Sequence, residues 1–174
     1  MFTNEEKLEF LACDSFQKFQ TFIDNYEINK FDNSGNTILH YYLKNIDSFN
    51  LDAEKLIGEM INQGLNINAQ SSTGKIKHTP LSIAVQQDLK SIFDLLIDLG
   101  ANVNAVVDNG NSILFLSVIN YRGENGYFIE RLILKGADVY QQNDYGVSPI
   151  SLANTIANYD VKKFFEKFKL SDIN

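Results

Sequence analysis

The chain has 174 residues, of which 44% are hydrophobic and 21% are charged. This composition excludes a disordered tail and fits one small folded unit, because the chain is too short for two. The formal net charge of -7 disfavours non-specific attraction to nucleic acid or anionic lipid, and it favours a basic partner.

The N-terminus and the apolar runs give no sign of export or membrane insertion. The first six residues lack the basic start and the unbroken apolar stretch of a signal peptide. The longest apolar run, residues 113–119, is interrupted by Ser117 and is too short to span a bilayer. Cys13 is the only cysteine, which excludes an internal disulfide and fits a reducing compartment. We therefore expect a soluble, cytoplasmic protein.

In chain order, the first predicted element is a degenerate pair of helices within residues 5–25. Asn25 stands near the position where a glycine is expected to end such a pair. Asparagine tolerates left-handed backbone better than most residues, so we expect Asn25 to adopt that conformation.

Four helix starts follow the first pair. Each is a Ser or Thr whose hydroxyl suits an N-cap, namely Thr37, Thr79, Ser112 and Ser148. The only two prolines of the chain directly follow two of these caps. In the first turn of a helix a missing N–H costs nothing, so the prolines support the predicted starts.

Helix ends are marked by Gly64, Gly100 and Gly136, which are spaced 36 residues apart. Each glycine follows an apolar segment with helical periodicity, and glycine just past a helix supplies the left-handed residue that stops it. Each also opens the same phrase, Gly-x-(Asn or Asp)-(Ile or Val). The repeated unit is therefore a hairpin turn followed by two short helices.

This unit resembles an ankyrin repeat, whose signature is T-P-L-H-x-A. The nearest copy is Thr79-Pro80-Leu81-Ser82-Ile83-Ala84, and the signature histidine is present in Thr37-Ile38-Leu39-His40. The resemblance implies an all-α solenoid of helix-turn-helix units joined by β-hairpin-like fingers, with about five units including the caps. It divides the single domain 1–174 into an N-terminal capping unit, three repeats and a C-terminal capping repeat. The boundaries are 1–30, 31–69, 70–105, 106–141 and 142–174.

The units differ in length. Residues 44–54 and 121–126 are predicted to be enlarged connections between helices, whereas residues 75–78 lengthen one finger. Charged residues in the first and last predicted helices suit the polar outer faces of capping units. From these faces we expect a stand-alone chain that is monomeric when free.

In ankyrin repeats the binding surface is the concave side, formed by finger tips and the exposed ends of first helices. The resemblance implies partner contacts from Asn33, Asn36, Lys44, Lys75, Lys77, His78, Gln86, Gln87, Asp108, Asn109, Asn111, Ile119, Asn120, Asp144, Tyr145 and Val147. The alternative is that Asn and Asp are simply what tight turns require. A tight turn does not require an exposed Tyr145, an exposed Ile119 or a longer finger, so these features favour binding.

The sequence contains no recognisable catalytic, metal or nucleotide motif. His40 is interpreted as a hydrogen-bonding residue within or between units, and His78 as either a solvated finger residue or a partner contact. Cys13 lies in a short apolar pattern and is interpreted as a packed thiol. No Cys and His spacing resembles a zinc site, and no glycine pattern would cradle phosphate. We expect no enzyme activity and no cofactor.

The resulting hypothesis is a non-catalytic protein–protein interaction module that binds neither nucleic acid nor a membrane. A composition rich in Asn, Ile, Lys and Phe suggests an AT-rich, bacterial genome. Small bacterial proteins that resemble this family include immunity proteins, so a narrower hypothesis is neutralisation of a cognate toxin. A further alternative is a bacterial effector that engages host proteins.

Overall fold

The computed structural model describes residues 1–71, 77–123, 126–156 and 160–168. Within these residues there are nine α-helices and no strand, apart from an isolated bridge between Val106 and Ser112. The helices are α1 (Asn4–Leu11), α2 (Phe16–Asp24), α3 (Ile38–Lys44), α4 (Ala53–Asn62), α5 (Pro80–Gln86), α6 (Lys90–Asp98), α7 (Ile113–Asn120), α8 (Tyr127–Leu134) and α9 (Pro149–Thr155). Short 3₁₀ helices lie at Ile46–Ser48, Asp108–Gly110 and Val161–Phe165. The predicted all-α solenoid is confirmed.

All four predicted helix starts are N-caps, since Thr37, Thr79, Ser112 and Ser148 directly precede α3, α5, α7 and α9. The hydroxyls of the last three each accept the backbone N–H three residues further on, at 3.2–3.3 Å. The two prolines occupy the first positions of α5 and α9. The starts of α5, α7 and α9 are therefore fixed by local hydroxyl chemistry.

Helices α4, α6 and α8 end at the predicted glycines, whose φ angles are 88°, 95° and 85°. At the end of α6, the Gly100 N–H donates to the Ile97 carbonyl at 3.0 Å, and the Ala101 N–H donates to the Leu96 carbonyl at 2.9 Å. This pair of bonds is the Schellman arrangement, and it recurs at Gly64 and Gly136.

The expectation of left-handed backbone at Asn25 is wrong, because its φ is -104°. Helix α2 ends instead with the Asn25 N–H donating to the Phe22 carbonyl at 3.2 Å. The Asn25 side chain donates to the Thr21 carbonyl at 2.8 Å. These two bonds satisfy the last turn of α2 without a left-handed residue.

Asparagine side chains join each inter-unit loop to the next. The side-chain oxygen of an asparagine in one loop accepts a backbone N–H from the following loop at 2.8–2.9 Å. The pairs are Asn29 with Asn66, Asn68 with Asn102, and Asn104 with Asp138. At the next equivalent position stands Tyr140, whose ring packs edge-on against Phe168 with centroids 6.4 Å apart.

The helices stack in two layers around one continuous hydrophobic core. The first helices of successive units, α3, α5, α7 and α9, pack against each other in order, and α2, α4 and α6 form the second layer. Leu39, Leu81, Leu114 and Ile150 recur once per unit and are at most 2% exposed. Each is covered by a neighbouring unit, so stability is shared between neighbours along the stack.

Helix connections differ in length as predicted. Residues 45–52 join α3 to α4, and residues 121–126 join α7 to α8, whereas residues 87–89 suffice between α5 and α6. The predicted finger insertion 75–78 lies partly outside the described residues. In the portion of the chain that the structure describes, no helix is both long and apolar enough to traverse a lipid bilayer.

The C-terminal unit differs from a regular helix pair, because Val161–Phe165 is a 3₁₀ helix. Phe165 is buried, while the adjacent Phe164 packs edge-on against Tyr121 with centroids 5.5 Å apart. Two consecutive aromatic rings thereby both make apolar contacts. A Cβ atom on Gly126 would clash with the Phe164 ring, so any larger residue at this position would have to displace the ring.

Two glycine substitutions should change stability in opposite directions. Gly100→Ala places a side chain at a φ of 95° and is expected to lower the free energy of unfolding by about 1–2 kcal/mol. Gly58→Ala lies inside α4 with no atom near the new Cβ, and it should raise that free energy by about 0.5–1 kcal/mol. Urea denaturation of both variants tests this, and a loss of stability in both would contradict it.

Candidate binding face

The fingers before α3 and α9 are each built around one polar side chain, which is buried for Asp32 and half-buried for Asn143. Asp32 is 6% exposed, and its Oδ1 accepts the backbone N–H groups two and four residues further on, at 2.9 and 2.8 Å. Asn143 does the same in the finger before α9, at 3.0 Å for both bonds. Sequence reasoning missed both residues. The signal was present, because each stands three residues before a glycine in an Asx-turn pattern.

The fingers before α7 and α9 are bonded to each other. The Asp144 N–H donates to the Asn109 carbonyl at 3.0 Å. The Asn143 amide donates to the Asn111 side-chain oxygen at 2.8 Å. These two bonds fix the relative position of neighbouring finger tips, so the tips present one preformed surface.

Four of the predicted residues lie together at this preformed surface. We call them the tip patch, and they are Asp108, Asn109, Asp144 and Tyr145. Tyr145 is 73% exposed, and its hydroxyl lies 3.5 Å from the Asn109 side-chain oxygen. Asn109 and Asp144 are also exposed, and Asp108 is half-buried. The patch therefore combines an exposed aromatic ring with two carboxylates.

The loop-edge patch, defined as Gln86, Gln87, Ile119 and Asn120, lies at the C-terminal ends of α5 and α7. All four residues are exposed, and Ile119 is 41% exposed. Helices of this length place the loop edge about 10 Å from the finger bases. The predicted set is thus divided between two ends of the same face.

Asn36 and Lys44 belong to a network that ties the N-terminal unit to the first finger. Lys7 Nζ lies 2.6 Å from Asp32 Oδ2, and Lys44 Nζ donates to the Asn36 side-chain oxygen at 2.6 Å. Burial alone would raise the pKa of Asp32, but hydrogen bonds from Lys7 and from the Asn36 backbone hold it below its usual value. Asn36 is itself 7% exposed, so its side chain serves this network.

The remaining predicted residues are spread over the fingers. Asn33 and Lys77 are exposed, while Asn111, Val147 and His78 are half-buried. Lys75 lies outside the described residues. The His78 carbonyl accepts the Ser71 N–H at 2.8 Å, and its buried ring Nδ1 has no hydrogen-bond partner within the described part of the chain.

His40 is fully buried and bonded at both ring nitrogens. Nδ1 accepts the Thr37 N–H at 3.3 Å, which places the proton on Nε2, and Nε2 donates to the His78 carbonyl at 2.9 Å. Burial lowers the pKa of His40 to about 4, although the bond to His78 acts in the opposite direction. The predicted role of His40 in bonding within and between units is confirmed.

The other candidate for chemistry, Cys13, is a packed thiol. It is 8% exposed, and its sulfur lies 3.4 Å from the Glu9 carbonyl. Burial raises the pKa of Cys13, which disfavours the nucleophilic thiolate. Across the described ranges, no group of three or more His, Cys, Asp or Glu side chains is arranged to hold a metal ion.

Comparison with known proteins finds similarity to ankyrin repeats. The ankyrin repeat family model matches residues 77–108. An ankyrin repeat protein of Rickettsia bellii (strain RML369-C) is 33% identical over 95 residues, which cover 54% of this chain and 13% of that protein. An ankyrin repeat protein of fowlpox virus (strain NVSL) is 28% identical over 114 residues, which cover 63% of this chain and 32% of that protein. The chain thus spans less than a third of either relative.

The buried His40 should make stability depend on pH. The unfolded state takes up a proton near pH 6.5, whereas the folded state does so near pH 4, so stability is full above pH 6.5 and falls between these values. The loss attributable to His40 is on the order of 3 kcal/mol at most. Unfolding free energies of wild type and His40→Gln, measured from pH 4 to 8, should converge as pH falls. Parallel curves over the whole range would refute this assignment.

Proposed function

Because this chain is an ankyrin repeat protein, and such repeats generally bind other proteins, we propose that it grips a macromolecular partner through its concave face. The tip patch supplies the central contact of this interface, and the loop-edge patch supplies a second one. Solenoids use their extended concave surfaces in this way.

The observation that carries the proposal is the placement of Tyr145. Its ring is 73% exposed, yet the finger beneath it is fixed by bonds to the neighbouring finger. A large side chain on a rigid support loses little conformational freedom on binding. Tyrosine is also enriched among the residues that dominate binding energies.

Charge indicates the kind of partner. The chain carries -7 overall, and Asp108 and Asp144 lie beside Tyr145 in the tip patch. An acidic surface accelerates encounter with a basic protein. We therefore assign a basic surface to the part of the partner that meets the tip patch.

The hydrogen bonding of His40 and the packing of Cys13 favour a binding role over catalysis. Both ring nitrogens of His40 are occupied by bonds within the fold, and Cys13 is packed. The exposed residues of the tip patch are suited to contacts rather than to proton transfer.

Two narrower roles share this binding mode and differ in the partner. An immunity protein would bind a cognate toxin one to one in the bacterial cytoplasm, and the net charge of -7 suits a basic toxin. An effector would bind a host protein instead. A toxin gene directly upstream would support immunity, whereas a translocation signal without such a neighbour would support the effector role.

Combining Tyr145→Ala with Asp144→Lys should weaken partner binding at least tenfold, because it removes the exposed ring and reverses a tip-patch charge that would meet a basic surface. The measurement is retention of proteins from the source organism on immobilised chain, followed by the affinity of the retained partner. Helical circular dichroism should be unchanged.

The matched control is Leu134→Ala with Glu54→Lys, which changes an equally exposed apolar residue and reverses one exposed acidic residue on α4. This control should retain the partner like wild type. Equal retention by both double variants would place the interface elsewhere, and equal loss would show a non-specific effect of charge.

A further inference from the structure

The turn between α5 and α6 lies between two longer connections. Residues 87–89 form this turn, whereas residues 45–52 and 121–126 connect the helices of the neighbouring units. A cavity therefore lies on each side of the turn. The cavity toward residues 45–52 has a volume of about 550 Å³, and the one toward α7 and α8 has about 350 Å³.

The second cavity, here called the edge cavity, has an apolar floor. Val85 and Ile129 are 4% and 1% exposed, and the ring of Phe128 lies beside them. Phe128 is held by an edge-on contact with Phe93, whose centroid is 4.9 Å away. The floor can therefore accept a small apolar group.

The rim of the edge cavity carries unused hydrogen-bonding groups. The amides of Gln86 and Asn120 are exposed, and in the described part of the chain neither side chain makes a hydrogen bond. Arg122 uses Nη1 to donate to the Ile119 and Tyr121 carbonyls at 2.7 and 3.1 Å. These bonds orient the guanidinium and leave its other N–H groups for a ligand.

The rim also carries a local excess of positive charge. Asp88 lies at the rim, but its carboxylate is 3.4 Å from Lys90 Nζ and is balanced by it. Arg122 has no ion-pair partner among the described residues. Among the described lining residues, Lys90 and Arg122 thus outnumber Asp88, although the chain as a whole is acidic.

We infer that the edge cavity binds an acidic peptide segment of the partner protein, in which a carboxylate side chain is adjacent to an apolar one. The fork of Arg122 pairs with the carboxylate, which is the geometry that guanidinium groups favour. The Gln86 and Asn120 amides pair with the peptide backbone, since each offers both a donor and an acceptor. The apolar neighbour fills the floor.

This inference rests on the proposed function in one respect, because it takes the ligand to be part of a protein. It also specifies how the partner is oriented on this surface. A partner would place its basic surface against the tip patch and its acidic segment at the loop edge.

The test uses two capped peptides, acetyl-Ala-Leu-Glu-Leu-Ala-amide and the same peptide with Gln in place of Glu. In NMR titrations of the whole chain, the Glu peptide should shift the side-chain amide signals of Gln86 and Asn120 and the Arg122 Nε–H signal. The Gln peptide should bind at least about tenfold more weakly, because it cannot form the charged pair.

Two variants with opposite expected effects sharpen the test. Arg122→Gln should abolish the preference for Glu, whereas Lys55→Gln, a remote exposed cation, should leave it unchanged. Asp88→Asn should tighten binding of the Glu peptide about twofold to fivefold, because it removes a like charge at the rim. Asparagine suits the φ of 54° at this position, so this variant should fold.

The inference fails if neither peptide shifts these signals, if both bind equally, or if Asp88→Asn weakens binding. Binding of the free Glu peptide also separates this inference from the proposed function. Tyr145→Ala should leave peptide binding intact, and partner capture that depends on Tyr145 without any peptide binding would sustain the proposed function alone.

Discussion

Every feature of this molecule depends on the inability of one helical pair to bury its own apolar side chains. Leu39, Leu81, Leu114 and Ile150 are sequestered because the next unit covers them. The asparagine bonds between loops act on the same junctions and fix the register of each contact. These bonds end on backbone N–H groups. They therefore fix the positions of the loops almost independently of which side chains the intervening residues carry. This register determines how the fingers align with one another.

Local features were predictable from the sequence, and features that depend on register were not. Hydroxyl N-caps such as Ser112 and the glycine helix ends act within a few residues, so their identity is sufficient to locate them. The burial of Asn36 depends on Asp32 and Lys44, and Asp32 in turn pairs with Lys7, which is distant in sequence. In the sequence, an asparagine that only forms a turn cannot be distinguished from one that bonds to another unit. The bonding partners become neighbours only when the units stack. The residue type of a finger position therefore does not distinguish a structural role from a binding role.

The surface that carries the finger tips has a different chemistry from the one at the loop edge. The tip patch exposes Tyr145 beside carboxylates, whereas the loop edge exposes amides and the Arg122 guanidinium above an apolar floor. A face with such polarity can specify the direction of a bound chain as well as its identity, because reversal would set like charges against each other. Net charge alone describes only the long-range attraction.

The close approach of Phe164 to Gly126 connects the C-terminal segment to the loop edge. Gly126 lines the edge cavity, and the Phe164 ring occupies the space where any larger side chain would stand. The position of the Phe164 ring therefore helps to set the shape of the edge cavity. A ligand whose affinity differed between two positions of this ring would, by reciprocity, shift the ring by the same factor.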